Sequence, residues 1–263
     1  MSLRTAPLLY VFYETSRIRQ QRELFASVIG VPVIEVEPHL PHHRHGVFKY
    51  DGGGIILSHN MTGRSRFQPG ESDALVTVFG VPPTWSFDWL RATGMTTERA
   101  GGLFTDDEGR HFAFTRSPSL TRTVVEELRL VVRELDTSVA FYRDVLDLEL
   151  LERSDDEARF ATASVPMRLV RGEASPDGAR PRRNSYLIVF HAAEIEAARR
   201  SLVERGLQFK GPRVGFSEIG GTIRFDDPSG HRFCLYVPSK ESLTWGSGPK
   251  VMEICGVPAA AAD

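Results

Sequence analysis

The sequence predicts an α+β protein of four βαβββ modules paired into two domains with curved mixed sheets. Three observations predict it. A unit of strand, amphipathic helix and three further strands recurs along the chain. The turn before a module's last strand occurs twice, with Gly109 and Gly230 lying 121 residues apart, close to half the chain. At 263 residues the chain is also longer than one core of ordinary size requires.

The first module opens with an alternating strand at 8–13, followed by a helix with Ser16 as N-cap and Ile18, Phe25, Val28 and Ile29 on one face. Gly30 stops that helix, and strands at 33–37, 46–50 and 54–60 follow, punctuated by Pro38, Pro41 and the Asp51–Gly52 turn. The second module has a strand at 74–79, a short helix carrying Trp85 and Trp89 one turn apart as core residues, a stop at Gly94, and a last strand at 110–115. The third runs from 127 to 172, with Val139, Tyr142, Val145 and Leu146 on its helix face. The fourth runs from about 184 to 238, with a helix at 192–205 capped by Gly206. These give an amino-terminal domain (1–118, modules one and two), a linker over 117–123, a carboxy-terminal domain (124–238, modules three and four) and a tail (239–263) outside the repeat.

Composition narrows the function classes. The net charge of −2 carries no long run of one sign, which argues against a nucleic-acid partner. No apolar stretch is long enough to span a membrane and the first seven residues lack a signal-peptide core, so the expected location is the cytoplasm. Cys234 and Cys255 are expected to be free thiols, with Cys234 buried. A small-molecule ligand is the expected partner, and a homodimer is compatible with the sequence.

The segment 135–146, Leu-Asp-Thr-Ser-Val-Ala-Phe-Tyr-Arg-Asp-Val-Leu, resembles the first helix of the vicinal oxygen chelate superfamily, and 225–231, Phe-Asp-Asp-Pro-Ser-Gly-His, resembles the turn before its last strand. That superfamily includes glyoxalase I, extradiol dioxygenases, and fosfomycin and bleomycin resistance proteins. The resemblance covers most of 7–238 and implies that each pair of modules forms a cup enclosing a small molecule. It also implies four metal-ligand positions per cup, on the first and last strands of each module. In the carboxy-terminal half these fall on Glu127, Arg168, Ser185 or Tyr186, and Cys234; in the amino-terminal half they fall on Tyr10, Ile56, Asp73 or Leu75, and Ala113. A permanently charged guanidinium at such a position repels a cation, so no metal or other cofactor is expected.

Strand parity places Glu127, Arg129, Arg168, Arg232, Cys234 and Tyr236 in one cup, either as an anchor for an anionic or hydroxyl-rich ligand or as a structural Glu127–Arg168 bridge. The other cup is expected to be lined by Tyr10, Phe12, Ile56, Ser58, His111 and Ala113, suiting a flat apolar ligand. His111 and Glu127 are the candidate catalytic groups, with His111 either a base or a hydrogen-bonded structural residue. The histidines at 39, 42, 43 and 45 read as a solvated loop more readily than as a metal site, and glycines 52–54 as a hairpin turn. Two alternatives stay open: a metal-dependent lyase, isomerase or extradiol-type dioxygenase using iron, manganese, zinc or nickel on a set drawn from Glu127, Cys234, His59 and His111, and an interaction scaffold with filled cups.

Overall fold

A computed structural model describes residues 3–31, 33–35, 45–50, 53–59, 70–182, 185–217 and 220–243, with the backbone alone at 33–35, 45–50, 53–54 and 56–59. The histidines at 39, 42 and 43, expected in a solvated loop, the side chains of His45, His59, Ile56 and Ser58, Cys255 and most of the tail lie outside what is described.

Four βαβββ units follow one another. The first comprises β1 (Leu8–Thr15), α1 (Ile18–Glu23), β2 (Val33–Glu35), β3 (His45–Tyr50) and β4 (Gly53–His59). After the two-residue β5 (Glu71–Ser72) come β6 (Leu75–Val81), α2 (Phe87–Thr93), β7 (Thr96–Arg99), β8 (Leu103–Asp106) and β9 (His111–Arg116). The third unit is β10 (Val124–Val132), α3 (Leu135–Ala140), β11 (Glu149–Arg153), β12 (Glu157–Ala161) and β13 (Met167–Arg171). Beyond β14 (Arg180–Pro181), the fourth is β15 (Tyr186–His191), α4 (Ile195–Glu204), β16 (Gly215–Ser217), β17 (Gly220–Asp226) and β18 (Arg232–Pro238). Helices α1 and α3 each run on into a π-helical turn, 24–29 and 141–145, so one amphipathic face continues through both parts.

The pairing of modules corrects the sequence expectation. One eight-stranded sheet has the order β16-β17-β18-β15-β1-β4-β3-β2, and the other β11-β12-β13-β10-β6-β9-β8-β7. The first module therefore shares a sheet with the fourth, through antiparallel β1 and β15, and the second with the third, through antiparallel β6 and β10. The domains drawn as 1–118 and 124–238 each contribute half of both sheets.

Helices lie between the two sheets, and one contiguous core results. Phe25, from the turn after α1, meets Phe79 and Phe112 of the second sheet edge-on at 6.3 and 5.5 Å. Its counterpart Tyr142 meets Phe160 of the second sheet and Phe233 of the first. Tyr13 on β1 and Thr77 on β6 share a buried hydrogen bond of 2.8 Å across the sheets. Along β10, Leu128, Leu130 and Val132 enter this core, so Glu127, Arg129 and Val131 face away from it. The two cups therefore open in opposite directions.

The repeated turns tie the sheets together differently. Asp106 accepts from the amides of Glu108 and Arg110, and Asp227 from those of Ser229 and His231. Arg110 then points back into the core, pairing with Asp106 and Glu108, whereas His231 at the matching position hydrogen-bonds Tyr186 and the Val131 carbonyl. Gly109 is the left-handed residue of its turn at φ 72°, and a Cβ there would sit 3.1 Å from the Glu71 carbonyl oxygen.

Three smaller expectations change. Ser16 does not cap α1, whose N-cap residue is Arg17 without a side-chain bond; the Ser16 hydroxyl donates to Glu108 instead. Ser86 caps α2, so Trp85 precedes the helix and is buried with Nε1 donating to the Val28 carbonyl, while Trp89 on the helix is 48% exposed rather than core. Helix α4 is shorter than 192–205 because residues 192–194 form its approach.

Candidate functional site

The concave face of the second sheet is built by cross-strand register. Arg159, Arg168, Arg129, Val76, His111 and Thr105 form one row across β12, β13, β10, β6, β9 and β8. Glu127, Val78 and Ala113 form the next row. A register shift between Val125 and Glu127 brings the Glu127 carboxylate in among the guanidiniums.

Glu127 is 5% exposed. Its Oε1 accepts from Arg129 Nε at 2.8 Å and Arg168 Nε at 3.0 Å, and Arg159 Nε stands 3.1 Å from Oε2 in poorer hydrogen-bonding alignment. Burial alone would raise this carboxyl, but the bonds from Arg168 and Arg129 outweigh it and hold the group below the ordinary range. Arg168 is itself bound to Glu157 at 2.5 Å. Arg129 uses only Nε, so its two terminal nitrogens stay uncommitted among the described residues on a side chain 41% exposed. The expected Glu127–Arg168 bridge thus exists within a larger cluster that includes Arg159 and Glu157, neither of which was singled out from sequence. Arg159 was within reach of strand parity, since Ala158 and Phe160 are core residues and Arg159 alternates with them.

His111 faces this same cup and not the one with Tyr10 and Phe12, which corrects its expected placement. Its Nδ1 lies 3.0 Å from Thr105 Oγ1, while Nε2 has no hydrogen-bond partner and stands 3.8 Å from Asp177 Oδ1. Asp177 belongs to the segment 172–182, which leaves β13 and is pinned along β5. Arg182 binds Asp73 at 2.5 Å, Ser175 donates to the Ser72 carbonyl, Ser72 donates to Asp177, and Arg180 pairs with Glu71. This strap closes one end of the second cup over His111.

The first sheet makes a different cup. Tyr10, Phe12, Leu187, Val189, Cys234 and Tyr236 share its face, and the Tyr10 and Tyr236 rings lie 6.5 Å apart. The β4 residues Ile56 and Ser58 pair beside Phe12 and Glu14 in backbone register. Arg232, Cys234 and Tyr236 therefore belong with Tyr10 and Phe12, and the expected convergence of Glu127, Arg168 and Cys234 on one hollow does not occur. Cys234 is buried as expected, and burial pushes its thiol up to about 11. The positions expected at Asp73 or Leu75 and at Ser185 or Tyr186 are also corrected. Leu75 and Tyr186 enter the core and Asp73 pairs with Arg182, leaving Val76, Val78, Leu187 and Val189 on the cup faces.

The donor set of the second cup does not fit the metal centre that such a fold can carry. In the second cup both Glu127 oxygens already face guanidiniums, and a divalent cation would stand beside three permanent positive charges. In the first, the described side chains on the cup face are phenols, the Glu14 carboxylate, the His191 imidazole and a thiol that stays protonated at neutral pH. Among the described residues, no three His, Cys, Asp or Glu side chains group as metal ligands do.

Residues 124–235 match the family described as the Glyoxalase/Bleomycin resistance protein/Dioxygenase superfamily. Over 132 residues the chain is 30% identical to the cadmium-induced protein CadI of Mycobacterium tuberculosis, an alignment spanning 47% of this chain and 82% of that one. The chain belongs to this superfamily. In fold it is similar to glyoxalase I from Zea mays (TM-score 0.62, 13% identity, 95% of this chain and 96% of that one). It is likewise similar to a Bacillus subtilis protein provisionally described as a dioxygenase (TM-score 0.64, 15% identity, 98% and 97%). No helix among the described residues is long and apolar enough to cross a membrane.

Proposed function

We propose that this superfamily member binds a small organic anion in its second cup without a metal centre. The observation that carries the reading is the Arg129–Arg159–Arg168 cluster, which brings three guanidiniums to the face where the fold otherwise collects metal ligands. Arg129 offers the planar pair of donors that a carboxylate or phosphonate accepts in bidentate fashion. Arg168 and Arg159, engaged with Glu127, Glu157 and Glu152, can exchange a glutamate contact for a ligand oxygen. Val76 and Val78 floor the cup beside them, which suits a ligand with a short apolar body.

Calorimetric titration of the full chain with pyruvate and with inorganic phosphate tests this. Arg129→Met is expected to weaken binding about tenfold or more, and Arg129→Met with Arg168→Met to abolish it, since a charge-assisted hydrogen bond contributes about 1.5–3 kcal/mol. Unchanged affinity in the double variant would reject the second cup as the anion site.

A further inference from the structure

We propose that the first cup is a separate binding site for a flat aromatic carboxylate, whose ring lies against Tyr10, Phe12, Leu187 and Tyr236 and whose charge is met by Arg224. One row of this sheet runs Arg224, Cys234, Val189, Tyr10 across β17, β18, β15 and β1. Three strand spacings put the ends of the row about 14–15 Å apart in the backbone. Both end residues are long and both middle ones short. Cys234 and Val189, 2% and 1% exposed, therefore form a low floor between a guanidinium and a phenol. Phe12 with Leu187 carries the apolar face into the row on one side, and Tyr236 carries it into the row on the other. These four side chains that would meet the ring are each half-buried, so each retains surface for a ligand to cover.

The chemistry of the occupant follows from what this face offers. Three of the four apolar contacts are aromatic, and a planar ring gains offset or edge-to-face contact with them beyond the area it buries. The Tyr10 and Tyr236 rings are inclined at 58°, and a hydrogen bond to Ser242 holds the second of them. Arg224 is exposed, and Asp226, the next residue of β17 on the same face, is taken by Lys210 at 2.6 Å. Among the described residues no carboxylate pairs with Arg224. Its charge reaches the floor of the cup: burial raises the Cys234 thiol, and Arg224, with Arg232 more weakly, opposes that rise. A guanidinium without a carboxylate beside an aromatic floor matches a ligand with an anion at one end and a flat ring beyond it. The two rows of the second cup contain no phenyl or phenol side chain, so the two cups select different anions.

Calorimetric titration of the full chain with 2-naphthoate, and with 2-naphthalenemethanol as the same ring without the charge, tests the proposal. Both are expected to bind, the carboxylate more tightly. Arg224→Met is expected to weaken naphthoate about tenfold and to leave the alcohol unchanged, whereas Tyr10→Leu weakens both about fivefold. Because Arg224 is exposed, its variant keeps the fold and carries the test if Tyr10→Leu melts early. Arg129→Met with Arg168→Met is expected to leave naphthoate affinity unchanged, so a failure of pyruvate and phosphate to bind would reject the second cup alone. Absence of naphthoate binding, an affinity indifferent to residue 224 or to residue 10, or one lost with the Arg129 and Arg168 pair would overturn the proposal.

Discussion

Replacing Arg110 by alanine is expected to destabilise the protein by about 3–5 kcal/mol, because it leaves two buried carboxylates without their cation. The Arg110 side chain is 1% exposed and pairs with Asp106 at 3.0 Å and Glu108 at 2.7 Å, and its other terminal nitrogen donates to the Glu14 carbonyl at 2.6 Å. Glu108 also accepts from Thr15 Oγ1 and the Ser16 amide, so one side chain joins the turn of the second sheet to the end of β1 in the first. Burial would raise the Glu108 carboxyl, but Arg110 foremost, with Thr15 and Ser16, brings it below its ordinary value. A carboxyl depressed in the folded state contributes stability that is present above its unfolded pKa and lost as pH falls through the folded one. The Arg110→Ala deficit is therefore expected to be greatest near neutral pH and to shrink in acid, where a protonated Glu108 no longer needs a counterion. Urea unfolding at neutral pH and near pH 4 measures both, with Arg110→Met separating lost charge from lost volume. A neutral-pH deficit below about 1 kcal/mol would show that the pairing contributes little.

Changing Glu127 to glutamine is expected to strengthen anion binding by about tenfold, equivalent to about 1.4 kcal/mol, while lowering stability by about 1 kcal/mol. In the native protein Glu127 is an internal competitor, holding Arg129 and Arg168 through bonds that a ligand oxygen would otherwise take. Glutamine keeps the shape and one acceptor oxygen but removes the charge, so the cluster gains one net positive charge. The stability loss stays small because Arg129 and Arg159, at 41% and 32% exposure, retain solvent. The native carboxyl is depressed, so its stabilisation is present above the ordinary glutamate range and disappears as pH falls through the folded value. The two proteins should therefore converge in stability in acid. Phosphate titration together with urea unfolding checks the pair of effects, and weaker binding in the glutamine variant would reject the competition.

The four modules and the inward face of β10 were legible in the sequence because both depend on local periodicity. Leu128, Leu130 and Val132 alternate with Glu127, Arg129 and Val131, so reading which set enters the core also places the carboxylate and guanidinium on the cup. The pairing of modules was not legible. Every first strand has the same alternating character, and nothing in β1 or β6 declares that their antiparallel neighbours are β15 and β10 and not each other. That one long-range choice moved His111 beside Arg129 and took Cys234 and Tyr236 to the other cup. Asp177 could not have been found from sequence, since it reaches His111 from an irregular strap whose position depends on Arg182 meeting Asp73 109 residues away.

The central claim is that guanidiniums around Glu127, and no divalent ion, hold the ligand of the second cup. Its most direct test is calorimetric titration of the untagged full chain with pyruvate after exhaustive dialysis against a chelator, repeated with iron, manganese, zinc or nickel restored. The same affinity in every condition is the predicted result. Binding that disappears with chelation and returns on adding one equivalent of a single metal would contradict it.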